Sequence, residues 1–219
     1  MKSDIDLVIP WVDGADPAWR AQRKFYESED ENNNTISFYR DWGLMRYWFR
    51  GVERNLPWIH RIHFVTWGHV PTWLNPEHPK LHIVIHEDYI PSDYRPVFSS
   101  HPIELNLHRI KGLSDQFIYA NDDTFFVGRL EPDYYFRNGL PCDCLYLRPI
   151  TESCTDGFGH VLWNNIACIN RHFSLKECME ENEEKWFSSI YSDDVLAMNK
   201  FGYRCTFSEL HTLSAFSPI

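Results

Sequence analysis

Residues 116–128 read "QFIYANDDTFFVG", and this stretch decides how the chain is organised. Gln116 to Ala120 is a short apolar and aromatic run, the pattern of a buried strand, and it delivers the chain straight into Asn121-Asp122-Asp123. A second apolar run follows at once. Both flanks favour burial, whereas an unpaired carboxylate removed from water costs several kcal/mol or takes up a proton. The acids therefore require a metal, a cationic partner or open solvent.

Outward from this stretch, the neighbouring segments alternate between strand and helix patterns. Ser99-Ser100-His101-Pro102 opens a helix, with Ser as cap and Pro in the first turn, and Gly112 falls where a left-handed C-terminal residue is expected. On one continuous helix Ile103, Leu107 and Ile110 form the buried stripe, and Glu104 and His108 share a neighbouring face. Upstream, Ile62 to Thr66 and Leu81 to His86 read as two more strands. Phe38, Trp42, Met45, Phe49, Val52 and Leu56 recur at helical steps from Ser37 until Pro57 ends the pattern. Ile5 to Trp11 is a further strand, closed by Asp13-Gly14. The polar residues after it, including "SEDENNN", read as a loop with a solvated acidic surface. Strand, helix, strand, strand, helix, strand predicts an α/β fold, a mostly parallel central sheet flanked by helices.

The composition bounds the class. With 219 residues, 43% apolar and 16% aromatic, the chain is long enough for one large domain with an ample core. A net charge of −10 argues against a nucleic-acid partner, and an anionic ligand would need local cations or a metal. No run reaches the roughly 20 apolar residues of a membrane helix, and "MKSDIDLVIPWVDG" lacks the pattern of a signal peptide, so the expected location is cytosolic. The six cysteines are then expected as reduced, mostly buried thiols.

In an open parallel sheet, ligands gather at the carboxyl ends of the strands. Asp13 and the triplet Asn121 to Asp123 both fall at such ends. If the backbone stays extended, Asn121 and Asp123 share a face and Asp122 points away, an Asp-x-Asp-like clamp whose oxygens suit Mg²⁺ or Mn²⁺. The alternative is an Asx-type turn.

Two long blocks resemble the Stealth family of sugar-phosphate transferases. They are "IDLVIPWVDGADPAW" at 5–19, and "YRDWGLMRYWFRGVERNLPWIHRIHFVTWGHVPTWLN" with "FSSHPIELNLHRIKGLSDQFIYANDDTFFVG" further on. The resemblance implies a nucleotide-sugar transferase architecture of the GT-A or Rossmann-like kind. It implies transfer of a hexose-1-phosphate from a UDP-sugar to a hydroxyl of a glycan or lipid-linked glycan, in capsular or extracellular polysaccharide synthesis, possible at the inner face of the membrane. Carried over onto this chain, Asn121 and Asp123 take the metal and Asp122 completes the catalytic acidic triplet. Trp11, Asp13 and Gly14 dock the nucleotide, by ring stacking and by hydrogen bonds to hydroxyls, unless Trp11 is core and Asp13-Gly14 a plain turn. Arg109 suits phosphate oxygens, His108 suits a general base, and Ser100 and Glu104 line the same region.

Beyond about residue 140 the resemblance thins, which divides a single transferase domain (1–219) into a nucleotide-sugar and metal-binding core, 1–140, and an irregular and helical extension, 141–219. Ser174-Leu175-Lys176-Glu177 reads as a capping box opening a helix. "ELHTLSAFSPI" matches the family's third block only through His211, a rival for the base. A fourth, basic block has no counterpart, so a shortened form with diminished turnover is implied. Three other readings stay open: a metal-dependent glycosyltransferase releasing UDP, a non-catalytic remnant that only binds, and a glycan-binding module using the nine tryptophans.

Overall fold

Ile5 to Pro10 forms the strand β1 (Ile5–Pro10), and Ile5 to Ile9 are buried without interruption. Such a run is what a strand needs when separate layers cover both of its faces. The structure, a computed structural model, describes residues 4–26, 39, 41–142, 147–149, 153–155, 157–174, 177, 180–181, 205–207 and 214–216. Two compact units make up the chain, Met1–Asp143 with Thr212–Ile219, and Cys144–His211.

In the first unit β1 pairs in parallel with β2 (Ile62–Thr66) on one side and with β4 (Gln116–Tyr119) on the other. Leu7 lies opposite Ile62, and Val8 opposite Tyr119. β3 (Leu81–Ile85) extends the sheet in parallel beyond β2, and β9 (Ser214–Phe216) adds an antiparallel edge beside β4. The order β3-β2-β1-β4-β9 is the expected α/β sheet with one antiparallel strand added. β5 (Phe136–Arg137) and β6 (Leu140–Pro141) form a small hairpin whose Asn138 and Gly139 both have positive φ, as a tight turn between twisted strands requires.

Alternation along the strands sends Ile5, Leu7, Ile9, Phe64 and Ile118 to one face, where Met45, Trp48 and Val52 of α2 (Met45–Asn55) cover them. Val8, Val65, Val84, Phe117 and Tyr119 face the other way, onto Tyr89 of α3 (His86–Tyr89) and onto Leu107 and Ile110 beyond α4 (Ser100–Leu105). Full burial of one large apolar side chain such as Trp48 stabilises the fold by about 2–3 kcal/mol.

Three local expectations differ from the structure. Residues read as loop after Gly14 contain α1 (Pro17–Tyr26), started by Asp16, whose Oδ1 accepts the Trp19 N–H at 2.8 Å, and by Pro17 at the first helical position. The "SEDENNN" run lies outside the described residues. The helix expected from Ser37 begins only at Met45, because Gly43, at φ +69°, breaks the helical path, and Trp42 is 72% exposed; Phe38 lies outside the described residues. The helix expected from Ser99 to Gly112 stops at Leu105 and resumes as a three-ten turn, Leu107–Arg109. At the break Asn106 turns its amide back to donate to the Pro102 carbonyl at 2.8 Å. Ser99 holds the cap position, but its hydroxyl meets His101 Nδ1 at 3.3 Å and no backbone N–H. Gly112 does adopt positive φ, at +76°.

In the second unit β7 (Leu147–Pro149) pairs antiparallel with β8 (Cys205–Phe207), and α5 (Gly157–Ile169) buries Leu162 and Ile166. The Ser174 hydroxyl accepts the Glu177 N–H at 3.3 Å, half of the expected capping box, and the rest of that helix lies outside the described residues. Of the cysteines with described side chains, Cys154 and Cys168 are exposed and Cys142 half-buried, all free thiols, so the expected burial does not hold for them. Among the described residues no helix is long and apolar enough to cross a membrane.

One fully buried carboxylate ties the amino ends of the three central strands together. Asp6 in β1 accepts from His63 Nε2 of β2 at 2.9 Å and from the Ser114 N–H ahead of β4 at 2.8 Å, and its other oxygen meets His60 Nδ1 at 2.8 Å. Burial alone would raise the carboxyl, yet the hydrogen bonds from His63, Ser114 and His60 outweigh it and hold Asp6 at about 2. Its folded value lies below the ordinary 3.8, so its contribution is present above pH 3.8 and is lost as pH falls through about 2. Asp6→Asn is expected to lower the unfolding free energy by about 2–4 kcal/mol at pH 7 and to flatten that acid limb. Urea unfolding across a pH series measures both, and wild-type stability in the variant would remove the anchor.

Candidate functional site

The connection from β1 to β2 carries α2 on one face of the sheet, and the connection from β3 to β4 carries α3 and α4 on the other. β1 and β4 are adjacent and parallel, and at the carboxyl ends of such strands an open sheet of this kind gathers its ligands in a crevice. Asp13 follows the first of these strands and Asn121 to Asp123 the second; the Ala120 N–H still bonds the Val8 carbonyl at 2.9 Å.

The triplet is a turn and not an extended clamp. Strand pairing ends at Tyr119, and the Asn121 carbonyl accepts from the Thr124 N–H at 3.3 Å and from its hydroxyl at 3.0 Å. Asp122 and Asp123 occupy the two central positions and are exposed together, while the half-buried Asn121 turns inward. The shared face expected for Asn121 and Asp123 is thus replaced by adjacent carboxylates of Asp122 and Asp123. The turn lifts both acids out of the apolar runs on either side and into solvent.

Behind the turn, Tyr119 links α4 to β4. Its hydroxyl lies 2.8 Å from Glu104 Oε1 and 2.8 Å from Asn121 Oδ1. Burial and the neighbouring Glu104 carboxylate, with Asp122 and Asp123, push the phenol well above its usual value, so it keeps its proton. One hydroxyl proton serves one acceptor. The phenol can donate to Glu104 Oε1 or to Asn121 Oδ1, and the Asn121 amide oxygen faces inward against Tyr119.

The other expected site residues fall in different places. Trp11 is 8% exposed; it stacks on Phe64 at 5.5 Å and meets the His69 ring edge-on at 5.3 Å, so it is core and offers no free face to a nucleobase. Gly14 is buried where the Tyr39 backbone lies against it, and a Cβ there would collide with the Tyr39 carbonyl. Asp13 caps its own turn, its Oδ1 accepting the Ala15 N–H at 2.8 Å. Ser100 is exposed in the first turn of α4. His108 and Arg109 are exposed on the three-ten turn, which leads the chain to Gly112 beside Arg61, at the amino end of β2. They stand apart from Glu104, because the helix expected to align them is broken at Asn106. His211 lies outside the described residues.

Two histidines that the sequence reading passed over also follow strand ends. His69, after β2, accepts the Asp13 N–H on Nε2 at 2.7 Å, and its Nδ1 stands 3.9 Å from Asp16. Burial lowers its pKa against the pull of Asp16 and Asp13. His86, after β3, is held at about 4 by burial and by His69. The rule that selected Asp13 would have found both, had it been applied to every strand.

Among the described residues no three His, Cys, Asp or Glu side chains gather into one ligating group. Two adjacent carboxylates form an open, oxygen-only set, which fits a hard cation that keeps water and takes other ligands from a phosphate. Tyr119→Phe and Glu104→Gln are expected to couple by about 1–2 kcal/mol in a double-mutant cycle followed by urea unfolding, and additive effects would show that the link carries no energy.

The sequence matches Stealth protein CR1, conserved region 1, over residues 3–31 and Stealth protein CR2, conserved region 2, over residues 38–142. It is 44% identical over 193 residues to the capsular polysaccharide phosphotransferase WcwK of Streptococcus pneumoniae, covering 87% of this chain and 58% of that protein. It is 42% identical over 193 residues to the receptor polysaccharide phosphotransferase WefC of Streptococcus gordonii, covering 86% and 57%. With the capsular polysaccharide phosphotransferase eps5J of Streptococcus thermophilus it shares 36% over 198 residues, covering 88% and 82%. The chain thus spans somewhat over half the length of the first two relatives. The two matched regions build β1 with its Asp13 turn and β4 with its acidic turn, and the chain belongs to the Stealth family.

Proposed function

We propose that the crevice between β1 and β4 transfers a hexose-1-phosphate, such as GlcNAc-1-phosphate, from a UDP-sugar to a glycan hydroxyl in capsular or extracellular polysaccharide synthesis. The observation that carries this reading is the exposed Asp122-Asp123 turn at the switch point of a parallel sheet, in a chain related to proteins named as polysaccharide phosphotransferases. The donor class puts the reaction in the cytoplasm, with a lipid-linked acceptor presented at the inner membrane face.

Asp122 and Asp123 would hold Mg²⁺ or Mn²⁺, on a turn braced from behind by the hydrogen bonds of Tyr119 to Glu104 and Asn121. The ion supplies charge neutralisation to the donor diphosphate. The acceptor oxygen bonds to the sugar-bearing phosphorus, the bridging P–O bond breaks, and UMP leaves with its electron pair. A base takes the acceptor proton.

We assign that base to His211. His211 is the candidate that the resemblance to the family's third block offers. His86, with a pKa of about 4, is a weak acceptor at neutral pH, and His108 lies on the turn that leads away.

Incubation with a panel of UDP-sugars, a glycan acceptor and Mg²⁺ is expected to release UMP. Release of UDP would make the protein a glycosyltransferase, and donor binding without either product would make it a binding remnant. Asp123→Ala is expected to lower metal-dependent UMP release by at least about 10²-fold while leaving the circular dichroism unchanged. His211→Ala should cost about 10²–10⁴-fold and His108→Ala less than about twofold. The opposite ranking would return the base to His108.

A further inference from the structure

Between α2 and the segment that follows the acidic turn, a cleft of about 700 Å³ is lined by Arg50, Arg54 and Arg129 and by no acidic residue. The helix supplies two of these cations one turn apart, so both guanidinium groups reach the same side. The third comes from the segment after the acidic turn, which runs back along α2 because the buried Asn55 amide donates to the Phe126 carbonyl and the Leu130 N–H bonds the Asn55 carbonyl at 3.2 Å. Gly51 permits that close approach, since a Cβ there would stand 2.9 Å from the Phe126 carbonyl oxygen.

Three arginines line one cleft in a protein whose net charge is −10. Like charges held together without an anion repel one another and destabilise the fold, so the arrangement fits a ligand that brings negative charge. Among the described residues Arg50 and Arg54 form no ion pair; Arg50 lies over the Tyr47 ring at 5.6 Å, which fixes its guanidinium and leaves its N–H groups available. Arg129 pairs with Glu131 at 3.0 Å, an exposed bridge of the kind that exchanges readily for a phosphate. Gly128 leaves open space beside the arginines, and Val127, 92% exposed, offers an apolar rim.

We infer that this cleft is a second anion site, which holds a phosphodiester of an anionic glycan at a distance from the reacting hydroxyl. Its concave form suits a chain laid along it better than a flat bilayer, and an exposed apolar rim beside arginines suits alternating sugar and phosphate units. The glycan as source rests on the reaction proposed above, whose product carries such phosphodiesters; the anion chemistry stands on the arginines alone.

Calorimetric titration of the full chain tests it, with an oligosaccharide of hexoses joined by phosphodiesters, the same hexoses joined by glycosidic bonds, and phosphatidylglycerol vesicles. The phosphodiester compound is expected to bind, more weakly as salt rises, with an affinity about tenfold lower in Arg54→Gln. Gly128→Asp, which puts a carboxylate where a Cβ meets nothing within 4 Å, is expected to abolish binding without touching an arginine. Equal binding of the neutral compound, wild-type affinity in both variants, or binding to vesicles alone would each overturn the inference. UMP release measured on the same preparations separates the two proposals: binding without release supports this cleft and sinks the reaction, and release without binding does the reverse.

Discussion

The double parallel pairing of β1, with β2 on one side and β4 on the other, is the constraint on which the rest of the molecule depends. A strand paired on both edges and covered on both faces has no exposed polar backbone, so its interior must be apolar and its few polar atoms must be bonded. Its successor strands lie on opposite sides, so the crossovers occupy opposite faces. The carboxyl edge at which Asp13 and the acidic turn stand follows from the shared direction of these strands, and no single residue creates it.

Charge is handled differently at the two ends of this sheet. At the amino end Asp6 is sealed in, and the cost of burying it is offset by His63 in β2, His60 just ahead of β2 and the Ser114 N–H just ahead of β4. At the carboxyl end Asp122 and Asp123 stay in solvent, lifted out by a turn whose hydrogen bonds come from the Thr124 N–H and hydroxyl. The first arrangement holds the strands in register. The second presents negative charge at the surface, and the Tyr119 hydroxyl, tied to Glu104 on α4, holds the amide that stands beside it.

The frame was legible because its signals are local and redundant. Continuous apolar runs mark β1 and β4, Gly112 ends its segment with positive φ, and the order of elements implies a layered α/β sheet. The misreadings have equally local causes. Asp16-Pro17 is a helix start that a search for apolar periodicity passes over, and a helical stripe drawn through Trp42 ignores Gly43. Asn106 interrupts a helix through a side-chain hydrogen bond that no periodicity reveals. That break decides the site, because it parts His108 and Arg109 from Glu104.

By itself, then, the sequence determined which residues must be buried and which acids must stand at strand ends, since burial free energy depends on residue type and period alone. Only the tertiary structure decided which of those acids face the crevice, that Trp11 is core and not a docking surface, and that three arginines from α2 and a returning loop share one cleft. These depend on contacts between segments distant in the chain, such as Asn55 with Phe126 and Gly14 with Tyr39, and local pattern carries no record of a long-range contact.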